Sequence, residues 1–457
     1  MAGISLELKK MFKKKSLLSI FTAFGYSFAL SSGPYFITIL SLILVNFLAV
    51  DGAIKDSKEL VQFQVSVTYI IAFSLILNGF TNLYLIRFLA DRAFEKKYEA
   101  IVPNIFGAIS INMSVGFIIS LPFAMFFIAP YASYYYALSF AFCFTVFMGI
   151  WTVNTILTGF KNYKYILFSF VFSYGIFIPL SYILFSKGLT GLMFAFTLSN
   201  ILLFTFLISY LVVNYYSHSI ISFDFIKEKK YRSLIFTGFF YNLGLWADKL
   251  VFWFNPYTNT PALGPLKYSV VYDIPIFLAY LSMAPGISGM FLKVEWEFSY
   301  YYERYYNAIR SGAVLEKIYL YGDELINSAR NVIVDVLRIQ AIFVIFILIT
   351  QKLIFQLFKL SKVYIPLFDI LLIGTSMQVS LLSVLALIFY INRLKDALVV
   401  TGFFAFTNLV FSFISIYLGP YFYGYGFNLS VILTSLLGII CLRRILHEIH
   451  YWTFMHI

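Results

Sequence analysis

Three charged residues, Asp248, Lys249 and Asp273, lie inside apolar stretches, whereas almost every other apolar stretch of this chain is free of charge. A charge within hydrocarbon costs at least a few kcal/mol and usually faces a partner or a water-filled cavity. Such side chains can form an ion pair, bind a cation or line a polar path. The stretch 242–306, which contains all three, is therefore where we look for a functional site.

The composition identifies the class of protein. Of the 457 residues, 61% are hydrophobic and 12% are charged, whereas a soluble domain has about 25% charged residues. Apolar runs long enough to cross a bilayer recur along the whole chain, which predicts an all-α polytopic membrane protein and excludes a separate soluble domain. The net charge of +12 fits lysines and arginines placed between these runs better than nucleic-acid binding.

No pattern in the sequence is typical of a metal site or a cofactor site. Cys143 and Cys441 lie in or beside apolar runs far apart in the chain, and the four histidines fall in loops or in the tail. We interpret both cysteines as core residues, and we predict no metal ion and no cofactor.

The apolar runs predict twelve transmembrane helices. They lie near residues 17–48, 62–86, 101–129, 134–160, 165–186, 189–213, 233–254, 268–292, 336–357, 364–390, 397–418 and 423–442. With the N-terminus inside, the inner segments hold 25 Lys and Arg residues and the outer segments hold 8. This bias predicts a protein of the cytoplasmic (inner) membrane with both termini in the cytoplasm.

The basic run before the first apolar stretch resembles the start of a signal peptide. The uncharged stretch that follows, 16–50, has 35 residues, far more than the roughly 7–15 of a signal-peptide core. We therefore interpret it as the first span, uncleaved.

The basic break at 214–232 divides the spans into two sets of six, which is a common plan for transporters. The predicted divisions are an N-terminal segment 1–15, an N-lobe 16–213, a cytoplasmic linker 214–232, a C-lobe 233–442 that includes a cytoplasmic helical insert 293–335 between spans 8 and 9, and a cytoplasmic tail 443–457. At this point the two-lobe organisation rests on the span count alone.

Helical rise places Asp248 in span 7 and Asp273 in span 8 at about the same depth, in the outer third of the membrane. Lys249 shares that depth, so an ion pair between Lys249 and Asp273 is geometrically natural. The charges could line a transport path, or they could form a structural ion pair that only neutralises itself. The sequence leaves both alternatives open.

A polar and aromatic stripe runs along span 7. Asn242, Trp246, Lys249 and Trp253 follow one another at spacings of four, three and four, which puts them on one side of a helix. Such a surface suits sugars, whose C–H faces stack on aromatic rings while their hydroxyl groups seek polar partners. We include all four in the predicted substrate path.

Span 1 contains Gly33 and Pro34, flanked by Tyr26 and Tyr35. Proline removes a helical hydrogen bond, so a kink is expected there. The kink could be a simple packing bend or a hinge with an unwound substrate contact. The two tyrosines are candidates for the substrate path because a buried tyrosine hydroxyl needs a partner.

The insert after span 8 is unusually long, and its apolar residues recur at helical spacing, with Gly312 and Gly322 as the expected breaks. This pattern predicts an amphipathic helix that continues into span 9. It could lie on the membrane surface, or it could dock a cytosolic partner. The predicted docking residues are Tyr301, Arg304, Tyr305, Val314, Ile318, Tyr321 and Leu325.

Five segments of the chain resemble the PelG family of the Pel exopolysaccharide systems. They are AGISLELKKM near the start, SSGPY at 31–35, NLGLWADK at 242–249, YDIPIFLAYLSMAPGISGMF at 272–291 and EWEFSYYYERYYNAI at 295–309. The two longest are the most specific, and the resemblance extends over the full length of the chain.

This resemblance implies a polysaccharide flippase of the MOP superfamily, related to MATE exporters, with two six-helix lobes facing a central cavity. It implies transport of a nascent amino-sugar polymer of N-acetylgalactosamine type. It also implies partners: a cytoplasmic glycosyltransferase that uses a UDP-sugar, a cyclic-di-GMP receptor and a membrane scaffold protein. Most spans lack charge, which fits a nascent polymer better than a lipid diphosphate.

Three other functions remain to be weighed. An ion-coupled MATE-like exporter could use Asp248 and Asp273 as cation sites. A lipid-linked oligosaccharide flippase would share the fold. A membrane enzyme is disfavoured because the outer loops are short, no D-x-D motif occurs and no histidine lies within a span. We therefore predict a transporter and no catalytic residues.

Overall fold

A computed structural model describes residues 17–52, 57–215, 217, 219–357 and 359–455, and nearly all of them are helical. In the first half of the chain the helices are α1 Leu17–Ser31, α2 Gly33–Gly52, α3 Ser57–Phe94, α4 Ile101–Phe123, α5 Tyr134–Gly159, α6 Tyr163–Leu184, α7 Gly188–Asn214, α8 Asp224–Lys227 and α9 Arg232–Phe254. A hairpin of β1 Thr260–Leu263 and β2 Leu266–Tyr268 follows. The remaining helices are α10 Val270–Leu281, α11 Ala284–Leu292, α12 Ser299–Arg310, α13 Leu315–Leu357, α14 Ile365–Tyr390, α15 Leu394–Leu418, α16 Tyr425–His447 and α17 Ile449–Met455.

The helices are those of a multi-pass membrane protein, as predicted. Among the described residues, nine helical stretches are long and apolar enough to cross a membrane, or ten if one bent pair counts as a single span. A helix needs about 20 apolar residues to cross the hydrocarbon layer, and the stretches measure from 25 to 52 residues. The longest, Tyr163–Asn214, contains both α6 and α7.

The bent pair is the first apolar run, and it confirms the predicted kink. Residues 24–31 and 33–48 are inclined to each other by 68°, with the break at Ser32. Pro34 has no N–H to continue the hydrogen-bond ladder. Whether the break acts as a hinge stays a prediction.

The chain divides into two compact units. The N-terminal unit comprises residues 33–246 and 252–270, and the described part of the C-terminal unit comprises 17–32, 247–251 and 271–455. Residues 17–32, which sequence analysis placed in the first lobe, thus group with the C-terminal unit. The predicted lobe bounds stay a prediction.

In the N-terminal unit, α5 packs against α3, α4 and α7, and α2 packs against α6. The β-hairpin, which the sequence did not predict, is fixed to α3 by two side chains on one side of that helix. Gln62 donates to the Ala262 carbonyl at 3.0 Å. The hydroxyl of Tyr69 donates to the Lys267 carbonyl at 2.9 Å.

In the C-terminal unit, α14 packs against α13 and α16, and α11 packs against α1 and α13. From α11 the chain continues through a π-helical turn, Lys293–Phe298, into α12, and then reverses at Gly312, whose φ of +65° suits glycine. At 1.5 Å per residue, the 43 residues of α13 reach about 64 Å, twice the thickness of the hydrocarbon layer. The predicted insert is therefore a helical hairpin, α12 and the first half of α13.

Gly322 was expected to break the insert, and this prediction is wrong. It lies within α13, and a Cβ there would lie 2.3 Å from the ring carbon Cε1 of His450 in α17. The glycine therefore permits a close approach of the C-terminal helix. This contact also places the hairpin and α17 at the same end of the C-terminal unit.

Candidate functional site

Asp248 of α9 is completely buried in the C-terminal unit and accepts four hydrogen bonds. The Lys249 ammonium donates to both carboxylate oxygens at 3.1 Å. Tyr272 of α10 donates its hydroxyl to Oδ2 at 2.7 Å, and Asn408 of α15 donates its amide to Oδ1 at 3.3 Å. Each oxygen thus has two donors, so the hydrogen-bonding capacity of this buried carboxylate is satisfied within the protein.

Lys249 is 6% exposed, and its charge is balanced on more than one side. Besides Asp248, the ammonium donates to the Tyr280 hydroxyl at 3.2 Å. It also lies 4.6 Å from the centroid of the Tyr280 ring and 5.8 Å from that of Phe427, distances at which an aromatic ring attracts a cation. The pair is therefore neutral as a whole and held by α9, α10, α15 and α16.

The ion pair that the structure places at Lys249 is with its neighbour in sequence, Asp248. The predicted pairing of Lys249 with Asp273 stays a prediction. Asp273 is half-buried in the first turn of α10, directly after the Tyr272 that binds Asp248. It is thus adjacent in sequence to the buried cluster and more accessible than Asp248, Lys249 and Tyr272.

The remaining residues of the predicted stripe on α9 lie in the N-terminal unit. Trp253 is only 2% exposed, and its ring stacks on Tyr69 with centroids 4.9 Å apart. The amide of Asn242 donates to the Leu75 carbonyl at 2.9 Å. Trp246 is half-buried, with its ring 6.0 Å from that of Trp253. In this conformation Trp246 and Asn242 are accessible in part, and the stacked face of Trp253 is covered. Their role in the substrate path stays a prediction.

The predicted residues of span 1 also separate between the units. Tyr26 is half-buried in α1 of the C-terminal unit. Tyr35 of the N-terminal unit is 47% exposed. Gly33 permits a close approach within that unit, because a Cβ there would lie 2.6 Å from Leu167 Cδ1. Gly33 and Pro34 thus shape the break, and a role in the substrate path stays a prediction for both tyrosines.

Three of the predicted docking residues are not available to a partner in this conformation. Tyr305, Ile318 and Leu325 are buried because α12 packs against α13. Their helical spacing therefore arises from packing inside the hairpin. The prediction that these three residues form a docking surface is corrected accordingly.

The outer side of the hairpin carries a different set. Val314 is 73% exposed. Arg304 and Tyr321 are half-buried, and Arg304 binds Glu324 at 2.7 Å and lies 4.0 Å from the Tyr321 ring. Tyr301 is also half-buried. The exposed apolar residues that the sequence analysis missed are Leu315, Tyr319 and Leu320.

His450 fastens the C-terminal helix α17 to this hairpin. Its Nδ1 lies 3.0 Å from the Tyr305 hydroxyl, and its ring centroid lies 4.7 Å from that of Tyr319. Burial lowers the pKa of His450 below its usual value of about 6.5, and the nearby Asp323 carboxylate opposes part of that shift. The contact therefore favours the neutral ring.

Tyr272, Tyr280 and Asn408 belong to the site, and sequence analysis did not identify them. Tyr272 directly precedes the noticed Asp273, and Asn408 is a polar residue in an apolar run that contains no charge. A buried amide in such a run needs a partner, and this was the available signal. Within the described ranges, no group of three His, Cys, Asp or Glu side chains is arranged to hold a metal ion.

Comparisons with known proteins agree with this architecture. A sequence model of the PelG family, described as "Putative exopolysaccharide Exporter (EPS-E)", matches residues 1–454. No curated protein matches the chain.

Several solved transporter structures share the fold. An outward-facing multidrug-resistance MATE transporter of the MOP superfamily matches with a TM-score of 0.66 and 14% identity, over 93% of this chain and 96% of its own. A MOP superfamily transporter from Pyrococcus furiosus matches with a TM-score of 0.65 and 13% identity, over 94% and 96%. An inward-facing MATE transporter matches with a TM-score of 0.59 and 15% identity, over 89% and 95%. At these identities the likeness concerns the fold.

We expect Lys249→Met to destabilise the protein strongly, because it leaves the Asp248 carboxylate buried without its counter-charge. Breaking a buried pair in this way costs about 3–5 kcal/mol. The double variant Asp248→Asn/Lys249→Met removes both charges and should recover most of the loss. Thermal unfolding of the purified protein measures both effects, and a double variant as unstable as Lys249→Met would contradict the pairing.

We expect the contact between α17 and the hairpin to weaken as the pH falls from 7.5 to 5. The pKa of His450 is lowered in the folded state, so its contribution is present above about pH 6.5 and is lost as the pH falls through the lowered value. Hydrogen exchange of α12 and of residues 315–325, corrected for intrinsic rates, should rise more in the wild type than in His450→Gln. His447→Gln, at an exposed neighbouring histidine, is the control and should keep the wild-type response.

Proposed function

The chain belongs to the PelG family of exopolysaccharide exporters, and from that premise we propose that it moves a nascent amino-sugar exopolysaccharide across the cytoplasmic membrane. A cytoplasmic glycosyltransferase supplies the polymer as it grows. The observation that carries this proposal is the family match over residues 1–454. The transporter fold shared with MOP superfamily proteins supports it.

The proposed topology has twelve spans with both termini in the cytoplasm. Twelve result if α1 and α2 form one broken span, α6 and α7 are separate spans, and α9 is a span despite its two buried charges. The excess of Lys and Arg in the inner segments supports the orientation. The contact of the hairpin with α17 supports the proposed topology too. Four spans, 9 to 12, separate the hairpin from the C-terminus, and this even number puts both on the same side of the membrane.

A neutral path suits a polymer of amino sugars. The Asp248–Lys249 pair cancels its own charge, and its hydrogen bonds are used within the protein. A sugar chain needs hydroxyl partners and ring faces rather than a strong fixed charge. Asn242 and Trp246 in the N-terminal unit offer such groups. Asp273 in the C-terminal unit adds one carboxylate, which can accept hydrogen bonds from sugar hydroxyls, and all three side chains are accessible in part.

Ion-coupled export is the alternative function. It is disfavoured because the Asp248 carboxylate already has protein hydrogen-bond donors on both oxygens. A carboxylate that binds and releases a cation must exchange partners during each cycle. Here both oxygens already accept two hydrogen bonds each, one of them from an ammonium group that is covalently attached to the same helix. Use of Asp248 as a cation site would require Lys249 to leave a buried position.

The proposed docking surface for the glycosyltransferase is the tip and outer side of the hairpin, formed by Val314, Leu315, Tyr319 and Leu320. Each of these side chains is more than half exposed. They lie beyond the predicted end of span 9, about 24 to 33 Å from residue 336 at helical rise, where lipid does not cover them in the proposed topology. The cyclic-di-GMP receptor and the scaffold protein are proposed as further partners of the same assembly.

We expect Asp273→Asn and Trp246→Ala each to reduce polymer export at least tenfold, because both remove groups of the proposed path. The measurement is the polymer that enters proteoliposomes containing this protein and the glycosyltransferase, with UDP-sugar supplied outside. Asp369→Asn is the matched control, since Asp369 is also a half-buried carboxylate near the start of a helix and is not part of the path. It should stay within twofold of the wild type.

Normal export by both path variants would contradict the path. Transport of a small molecule by the isolated protein, driven by an ion gradient without the glycosyltransferase, would favour the alternative function instead. The stable double variant Asp248→Asn/Lys249→Met adds a third comparison: normal export would assign the pair to structure alone.

We expect Val314→Glu/Leu320→Glu to reduce co-purification of the glycosyltransferase at least tenfold, because each change puts a charge into an apolar contact. Asn327→Glu/Asn331→Glu, at exposed positions of the same helix, adds the same charge outside the proposed surface and should retain the partner. Equal retention by both double variants would exclude this docking surface.

A further inference from the structure

The segment 219–231 of the N-terminal unit, here called the strap, is a fixed structure and not a flexible linker. The backbone N–H of Ser222 donates to the Pro103 carbonyl at 2.9 Å, and that of Phe225 donates to the Asn104 side-chain oxygen at 3.1 Å. Tyr84 donates its hydroxyl to the Phe225 carbonyl. The strap is thereby held across the ends of α3 and α4.

The far end of the strap is fixed as well. Tyr231 is 2% exposed and donates its hydroxyl to the Asp91 carboxylate. The Arg87 guanidinium lies 5.3 Å from the Tyr231 ring and 3.7 Å from Asp91. A segment anchored by buried aromatic side chains at Phe225 and Tyr231 has a defined outer surface.

That outer surface combines exposed apolar residues with charged ones. Ile220 is 78% exposed and Ile226 is 55% exposed, and Ile221 and Phe223 are exposed too. The helix ends beside the strap continue it, since Val213 in the last turn of α7 is 82% exposed. Exposed apolar residues in such a continuous arrangement indicate an interaction surface.

A basic cleft of about 830 Å³ lies at the same end of the unit, lined by Lys96, Lys97, Tyr98, Glu99, Ala100, Asn214 and Tyr215. Lys97 also lines a second cleft of about 300 Å³ together with Lys227 and Glu228 of the strap. Strap and cleft are therefore neighbours. Phe94, which is 85% exposed, comes just before the two lysines in sequence.

Part of the positive charge here is balanced within the protein. Glu95 pairs with Lys97 at 3.0 Å, and Asp224 pairs with Lys227 at 3.0 Å. Across 87–100, 161–164 and 214–232 there are still ten Lys and Arg residues against five Asp and Glu. Among the residues that the structure describes, Lys96 is exposed and makes no ion pair with a carboxylate. The surface therefore keeps a net positive charge.

We propose that the cleft of Lys96 and Lys97 binds the headgroup phosphate of an anionic phospholipid, while the strap inserts its isoleucines at the boundary between headgroups and acyl chains. Exposed apolar residues bordered by lysines are typical of segments that lie in a membrane interface. Basic pockets at the ends of transmembrane helices suit anionic headgroups. The exposed Val213 at the end of an apolar stretch long enough to cross a membrane favours a lipid over a soluble phosphate compound or a protein partner. The proposal is independent of what the protein transports.

The test uses the full-length protein in nanodiscs of phosphatidylcholine with a minor fraction of phosphatidylglycerol. Native mass spectrometry of the released protein measures which lipid remains bound. We expect the wild type to retain phosphatidylglycerol preferentially. Each lysine near an anionic surface changes the binding constant about fivefold, so Lys96→Gln/Lys97→Gln should lower the preference by roughly 25-fold.

Lys359→Gln/Lys362→Gln is the matched control. It removes two exposed lysines of the C-terminal unit, and Lys359 has a positive φ of 53°, like the 61° of Lys96. The control should keep the wild-type preference. Ile220→Ser/Ile226→Ser should lower retention of phosphatidylglycerol without changing the thermal stability measured in detergent, because these side chains make the outer surface.

Equal retention of the two lipids by the wild type would overturn the proposal, whether or not the variants fold. So would an unchanged preference in Lys96→Gln/Lys97→Gln. Displacement of phosphatidylglycerol by free glycerol phosphate or UDP would assign the cleft to a soluble ligand. Protection of the strap from hydrogen exchange only when the glycosyltransferase is present would assign the surface to a protein.

Discussion

A charge pair inside an apolar helix bundle is the constraint on which the C-terminal unit is built. Asp248 and Lys249 are consecutive residues of α9, so the helix brings both charges into the interior together. An ionised carboxylate without partners is not tolerated there. The surrounding helices satisfy it through Tyr272 and Asn408. The position of α10 and α15 relative to α9 within this unit is therefore fixed by hydrogen bonds as well as by packing.

This arrangement has a consequence for transport. A transporter that changes conformation must either keep such a cluster intact or exchange its partners. Each carboxylate oxygen of Asp248 accepts two hydrogen bonds, and the Lys249 ammonium lies between this carboxylate and two aromatic rings. The cluster is therefore suited to remain intact. It then serves as a rigid centre of its unit, and the half-buried Asp273 lies next to it in sequence.

Two segments that connect the long apolar helices, the hairpin and the strap, are ordered by buried side chains of their own. The hairpin of α12 and α13 uses its periodic apolar residues to close on itself, and His450 holds the C-terminal helix against it. The strap likewise uses Phe225 and Tyr231 as anchors and leaves its isoleucines outside. In both the hairpin and the strap, the buried side chains stabilise the segment. The side chains that remain exposed are the ones available for binding.

The sequence by itself determined the class of protein, its helical content, the kink at Gly33 and Pro34, and the stretch in which buried charge occurs. These depend on local chemistry: apolar length, a missing N–H, and the cost of a charge in hydrocarbon. The sequence also determined the family, through the motifs around Asp248 and Asp273. The β-hairpin at 260–268 escaped prediction because it is fixed by Gln62 and Tyr69, about 200 residues away in the chain.

Only the tertiary structure decided which residues complete the site and which surfaces are free. Lys249 binds the adjacent Asp248, and the donors Tyr272 and Asn408 come from helices that no periodicity links to α9. Tyr305, Ile318 and Leu325 have the spacing of a docking surface, yet they face the inside of a hairpin. The physical reason is the same in each case: helical spacing fixes which residues share a side, and packing decides what that side meets.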